Sequence, residues 1–531
     1  MNILLASVVV YLNGSVITMD SRGTVAEAVA VRDGRIVAVG KTAELRALGE
    51  AVDLKGRVLL PGFYAAHDHF PQAGLLALTQ VDLNSPPIGA ITSMDELVAA
   101  LKKKAATTPK GQWVVGRGYD DTLIREKRHP SRSDLDRVST EHPLWVTHIS
   151  GHMGAGNSLA LKIANVTRNT PQPEGGHIRK DARTGEPDGY IEERQTIVTR
   201  HIPPVTAQEM QEGIRWANRQ YLSKGVTTAV VTGGPRNSYL AVREAMQRGE
   251  LKLRLDWMLS GAKPERLPGV EGKLRVVGVK AWQDGSIQGY TGHLGAPYHV
   301  QPEGKHDFRG YPSRSREQLT AMVREYHRDG FQVAVHGNGD AAIDDILAAY
   351  ETVLQERPKT DTRWRIEHCQ TAREDQLDTM KRLGATPSFF VAHVFYWGDR
   401  HRDLFLGPRR AGRISPLRSA LNRGVRFSIH NDTPVTPVDP LLLVWNAVNR
   451  TTRYGKVLGP EQRIGVMEAL RAVTIDAAWQ SFDEKDRGSI EVGKAADFVV
   501  LERSPLKVTP IEIWNIVVVE TIVAGESVWR R

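Results

Sequence analysis

The sequence predicts an α/β protein: a (β/α)8 TIM-like barrel with a small β-sandwich domain formed from both chain termini. Three observations predict it. Through the middle of the chain, apolar strand-like runs alternate with segments of helical period, the pattern of a parallel sheet with helices outside. At both ends, short strands separated by turn signals recur without helices between them. Histidine, lysine and aspartate fall repeatedly at strand ends, the face on which such a barrel carries its site. A chain of 531 residues is long enough for this plan.

Taken in order, residues 1–58 read as all-β. Val8–Leu12, Ala28–Val31 and Arg35–Val39 are short strands punctuated by Asn13-Gly14, Asp33-Gly34 and Lys55-Gly56. The apolar start, Met1–Leu12, has no basic leading segment and runs into Asn13-Gly14, so it is expected to be the first arm of a hairpin with Val16–Met19 rather than a signal peptide. Asp497–Leu501 and Trp514–Glu520 are expected strands, and Ala524-Gly525-Glu526 a turn. Neither end can bury a core alone, so residues 1–58 and 475–531 are expected to form one domain. The barrel would occupy residues 59–474. Its strand candidates are Val58–Phe70, Thr228–Val231, Leu253–Trp257, Leu274–Lys280, Phe331–His336, Trp364–His368 and Val425–His430. Trp113–Gly116 and Leu144–His148 also read as strands, within a stretch of about 75–225 that is too long for one βα unit and is expected to be an insertion. Helical period fits Met94–Ala106, Gln208–Ser223, Ser315–Asp329, Ala341–Glu356 and Glu374–Leu383.

The chemistry gathers at strand ends. His67 and His69 close the first barrel strand in His-x-His, a spacing that aims both imidazoles one way and turns Asp68 aside. Two neutral imidazoles on one point begin a metal site. Lys280, His336, His368 and Asp432 each end a later strand. Net charge is +9, but the basic residues are spread along the chain and no aromatic–basic stripe is present, which argues against nucleic acid as partner. No apolar run is long enough to span a membrane. The single cysteine, Cys369, excludes an intrachain disulfide and fits a cytoplasmic location. On a regular strand it alternates away from His368, which argues against a nucleophilic role. Gly337-Asn338-Gly339 reads as a turn into the following helix rather than a phosphate nest.

These motifs together resemble the amidohydrolase superfamily, in the branch called amidohydrolase family 3, which includes N-substituted formamide deformylase-like proteins. The likeness runs through Asn13-Gly14-x-Val16-x-Thr18-Met19-Asp20, Pro61-Gly62-Phe63 with the His-x-His, Gly116-x-Gly118-Tyr119-Asp120-Asp121, Ser150-Gly151-His152, Arg365–Gln370, Pro437–Pro440 and Gly488–Asp497. It implies that His67, His69, His336, His368 and Asp432 bind one or two divalent metals, zinc first among them. It also implies that Lys280 is a carboxylated lysine bridging two ions, with Glu193 the competing anion. The last-strand aspartate is usually preceded by small residues; here His430-Asn431 precedes it.

The chemistry expected is cleavage of a carbon–nitrogen bond other than a peptide bond, in a small amide-type substrate. Metal-activated hydroxide would attack, with Asp432 as general base and then acid. His152 and Tyr119 would contact the substrate or the developing oxyanion. The aromatics Phe390, Phe395, Tyr396 and Trp397, in Phe389–His401, suggest a bulky substrate. The alternatives are a mononuclear deaminase, an ester or phosphotriester hydrolase, and a binding protein that keeps the fold. A homodimer is the default assembly.

Overall fold

The computed structural model describes residues 7–261, 264–302 and 304–531. Residues 1–6, the start of the apolar run read as a hairpin arm, lie outside them.

Eight parallel strands form a nearly closed barrel in chain order: β1 (Phe63–Asp68), β2 (Val226–Gly234), β3 (Arg254–Ser260), β4 (Leu274–Trp282), β5 (Gln332–Gly337), β6 (Arg365–His368), β7 (Thr386–Phe389) and β8 (Ser428–Ile429). They are fully buried over most of their length, so they read as continuous apolar runs rather than alternating ones. Between β8 and β1, the His69 N–H donates to the Thr433 carbonyl at 2.9 Å, and the Thr433 N–H to Asp68 at 2.5 Å. The helices Ala207–Ser223, Arg316–Arg328, Asp340–Glu356 and Glu374–Leu383 lie where their period predicts. β7, which has Pro387 inside it, was not among the expected strands.

β1 pairs directly with β2. The chain between them builds a separate six-stranded sheet that includes Val114–Tyr119, Leu144–His148, Met153–Gly156 and Pro187–Glu192. Its own apolar cluster packs Leu97 and Leu101 of the helix Met94–Ala105 against Val114, Leu144 and Val146.

The terminal strands form two sheets. One has four strands, in the order Arg35–Gly40, Ala28–Arg32, Val9–Leu12 and Glu50–Asp53. The other has six and joins both ends of the chain: Glu526–Arg530, Val518–Val523, Phe498–Leu501, Val58–Pro61, Ser15–Ile17 and Val25–Ala26. One apolar cluster contains Tyr11, Val29 and Ile36 from the first and Val16, Leu59, Phe498 and Ile522 from the second. Two expectations are corrected here. Asn13-Gly14 does not close a hairpin: Asn13 adopts φ 56°, but the turn carries the chain from one sheet to the other. Residues Trp514 and Asn515 end a 3₁₀ turn, Pro510–Asn515, and the strand begins only at Val518.

A single residue, Gly62, separates Val58–Pro61 of the terminal sheet from β1. A Cβ there would fall 2.1 Å from Thr227 Oγ1, so close approach to the barrel requires glycine. Asp497, just before Phe498–Leu501, reaches back to the barrel: its carboxylate takes Arg254 Nε at 2.6 Å and Nη2 at 3.1 Å, both side chains buried.

Candidate metal centre

His67 near the end of β1 and His69 just past it converge: their ring centroids lie 5.5 Å apart and both Nε2 atoms face Asp432 Oδ1, at 3.3 and 2.9 Å. Asp68 turns away, as its alternation requires. From β5 and β6, His336 Nδ1 and His368 Nε2 meet at 3.0 Å, and His368 Nδ1 is 4.0 Å from Asp432 Oδ2. Lys280, on β4, lines the same cavity with its ammonium 5.1 Å from the Trp282 ring centroid. The cavity is about 280 Å³ and is also lined by Arg117, Thr147, Ser150 and His152 from the inserted sheet and its loops. The structure thus brings His67, His69, Lys280, His336, His368, Asp432 and His152 together.

Backbone conformation matters here. His368 and Asp432 adopt φ 68° and 58°, the left-handed region that non-glycine residues rarely occupy. Such a conformation costs about 1–3 kcal/mol per residue and persists where packing imposes it. At both strand ends it redirects the side chain into the cavity.

The groups behind the histidines set their protonation. The Glu367 carboxylate accepts from His67 Nδ1 and is clamped by Arg365 Nε, all three side chains fully buried. Burial would raise the Glu367 carboxyl, but Arg365 and then His67 hold it well below the carboxylate range. His67 Nε2 is then left as a buried lone pair with no hydrogen-bond partner. His336 Nε2 meets the Gly285 carbonyl at 3.0 Å, which accepts its N–H and leaves Nδ1 as a lone pair toward His368. His430 stands behind His368, Nε2 to Nδ1 at 3.1 Å, with Ser388 Oγ 2.9 Å from its other nitrogen. Burial pushes His336 and His368 well below the ordinary imidazole value, which keeps them neutral. Burial alone would raise Asp432, but His67 and His69 hold its carboxyl well below its usual range. A buried lone pair on His67 Nε2, 3.3 Å from an Asp432 oxygen, repels it unless a cation sits between them. His67, His368 and Asp432 each offer a donor atom, all within 4.8 Å of one another. This donor set, with its oriented outer partners, fits a divalent metal.

Lys280 suits the modification its position implied. Burial lowers its ammonium to about 8, only partly offset by Glu367 and Asp432, so a neutral amine is accessible. Glu193 does not line the cavity; its Oε2 lies 3.0 Å from His152 Nδ1. Burial would lower His152, but Glu193 outweighs it and raises the imidazole above its ordinary value.

Other expected residues lie elsewhere. Tyr119 is fully buried in the core of the inserted sheet, its hydroxyl 3.3 Å from His129 Nδ1 beside His148, and it does not reach this cavity. Its strand carries Arg117 into the cavity instead. Phe390, Phe395, Tyr396 and Trp397 are also buried, Phe390 against His430 and His393, and none lines the cavity. They support the site rather than enlarge it. Cys369 is buried, and burial drives its thiol far above the ordinary range. Sequence reading gave Glu367 no role, although it adjoins His368 in Arg365–Gln370.

Comparison with known proteins agrees with this geometry. A family model described as an amidohydrolase family matches residues 50–529, and a bacterial imidazolonepropionase-like composite domain matches residues 28–48. N-substituted formamide deformylase of Arthrobacter pascens is 30% identical over 555 residues, 98% of each chain. Protein LONG AFTER FAR-RED 3 of Arabidopsis thaliana is 31% identical over 514 residues, 92% of this chain and 86% of the other. Among solved structures, metal-dependent hydrolases from Pyrococcus horikoshii and Pyrococcus furiosus superimpose with TM-scores of 0.73 and 0.71. They are 25% and 27% identical, over 95% and 94% of this chain and 99% and 100% of theirs.

Proposed function

The chain belongs to the amidohydrolase family and is a metal-dependent hydrolase of that superfamily; from this premise we propose that it cleaves a carbon–nitrogen bond of amide type in a small substrate. The observation that carries the reading is the convergence of His67 and His69 on Asp432, with His67 Nε2 buried and without a hydrogen-bond partner. His67, His69, His336, His368 and Asp432, with Lys280 as a carboxylated bridge, would hold one or two divalent ions, zinc first among them. A metal in such a site supplies an acidified water and polarises a carbonyl oxygen.

The chain's own groups do the rest. Asp432 Oδ1 takes the proton of the attacking water and returns it to the leaving nitrogen. His152, kept protonated by Glu193, donates to the oxygen on which negative charge develops. Glu367 and His430 hold the rings of His67 and His368 in place. The reading divides the chain into a small β-sandwich of residues 1–58 with 475–531 and a barrel of 59–474 with an insertion at about 75–225, although the strand Val58–Pro61 pairs within the terminal sheet.

Metal content per chain, measured on protein purified without chelator, tests the reading alongside Lys280→Ala. Two equivalents in the wild type, falling to one or none in the variant, is the expected result. One equivalent unaffected by the variant favours the mononuclear deaminase reading, and no metal after reconstitution overturns the mechanism.

A further inference from the structure

Arg117, half-buried in the cavity wall, differs from the other inward-facing arginines. Arg254 faces Asp497, Arg365 faces Glu367, Arg400 faces Asp120 and Arg487 faces Asp483. Arg450 donates to the carbonyls of Leu458, Ser415, Ile414 and Gly412. Arg117 has one hydrogen bond, from Nη1 to the Pro434 carbonyl at 3.2 Å, and no ion pair among the described residues, Asp432 and the cross-strand Asp82 acting on it only at longer range. Its side chain lines the cavity that holds the histidines.

A half-buried guanidinium with unused donors is available to an incoming anion, and its planar fork matches a carboxylate edge to edge. Burial lowers Arg117 only to about 10, so it is cationic at neutral pH. The protein itself offers one carboxylate in the cavity wall, Asp432, and that group is engaged by His67 and His69. Pro434, which Arg117 touches, lies two residues beyond Asp432, so the free donors sit close to the reacting centre. Gln80 and Thr147 add polar groups to the same wall. Apolar lining is confined to Leu76, Trp282, Pro434 and Val435. A wall of this composition suits an anion more than a hydrocarbon.

We propose that Arg117 anchors a carboxylate of the substrate, so that the enzyme acts on amides that carry a carboxylate near the scissile carbon–nitrogen bond. The inference rests on the amide reading above and narrows it to N-acylated amino-acid-like compounds.

The test compares matched pairs: N-formyl and N-acetyl derivatives of glycine, alanine and phenylalanine, in both hands where they exist, against the same derivatives of methylamine, ethylamine and phenylethylamine. Each pair differs only by the carboxylate. The expected result is a kcat/KM preference for the acid in the wild type. In Arg117→Gln that preference falls about 30- to 100-fold, mainly through KM, the size of a charge-assisted hydrogen-bonded pair. Arg117→Lys keeps part of it, as a point charge without the fork. A merely structural arginine would depress both members alike and leave the ratio unmoved. Ketone isosteres of the N-acetyl-phenylalanine pair, with CH2 in place of the amide NH, read binding without turnover by calorimetry on the metal-loaded protein. Equal handling of acid and neutral amide, or a ratio unchanged by Arg117→Gln, overturns the anchor and leaves the amide reading standing. Arg117-dependent binding of the acid isostere without cleavage of any amide upholds the anchor and removes the amide reading. No cleavage and no binding overturns both.

Discussion

His152 and Glu193 form a half-buried pair in which the carboxylate acts on the imidazole, and that pairing gives a pH signature. Glu193 raises the His152 imidazole, so its protonated form persists above the ordinary value of 6.5. If the cation is the working form, activity falls on the alkaline side as His152 loses its proton. Glu193→Gln removes the raising charge, and the alkaline limb of kcat is expected to move to lower pH. A pH–rate profile checks this; an unmoved limb assigns it to another group. Glu367 shows why part of the site was not legible in the sequence. Strict alternation puts Glu367 and His368 on opposite faces, so one excludes the other from a shared site. The positive φ at His368 breaks that rule, and both side chains reach the same interior. The ligand candidates were legible because each ends an apolar run. Their outer partners were not, because nothing local marks a contact such as Ser388 to His430.

At the scale of elements, the segment from the helix His393–Arg400 into the π-helical turn His401–Phe405 is a buried wall of aromatic and imidazole rings. His393 Nδ1 and His401 Nε2 lie 2.9 Å apart. Burial lowers His401 from 6.5 to about 3 and also depresses His393. For a histidine whose folded value is depressed, the unfolded chain binds more protons between the two values. The stability is therefore fully present above 6.5 and lost as pH falls toward 3. For His401 alone the loss at pH 5 is about 2 kcal/mol, from roughly 1.5 units of separation at 1.36 kcal/mol each. His401→Gln is expected to shrink the pH 7.5-to-5 drop in stability by that amount; urea unfolding at both values measures it, and an unchanged drop refutes it. Strand β7 and the Asn13-Gly14 turn mark the limits of element reading. Pro387 argues locally against a strand, yet parallel pairing from Arg365–His368 accommodates it. Asn-Gly signals a turn correctly but does not say which strands the turn joins.

Across the whole molecule, the terminal sheets and the barrel are tied by the buried pair Arg254–Asp497. Asp497 also accepts from the Ala524 N–H at 2.7 Å. Asp497→Ala strands a buried guanidinium, which costs about 3–5 kcal/mol. A cooperative loss of that size, in both the barrel and the terminal sheets, is expected in chemical unfolding; separate transitions for the two would contradict the tie. The barrel was legible from alternation and length. The pairing of the two ends was legible only as economy, since short strands need partners. Which strand pairs with which depends on contacts between residues hundreds of positions apart. One such contact has a temporal meaning. Pro61 pairs with Phe498, and one glycine later begins the strand that carries His67 and His69. On a ribosome those imidazoles emerge long before the residues that hold their strand in place. The strand that presents them therefore gains its terminal-sheet neighbour only after the chain has been made as far as Phe498, so that edge of the barrel is completed late in synthesis.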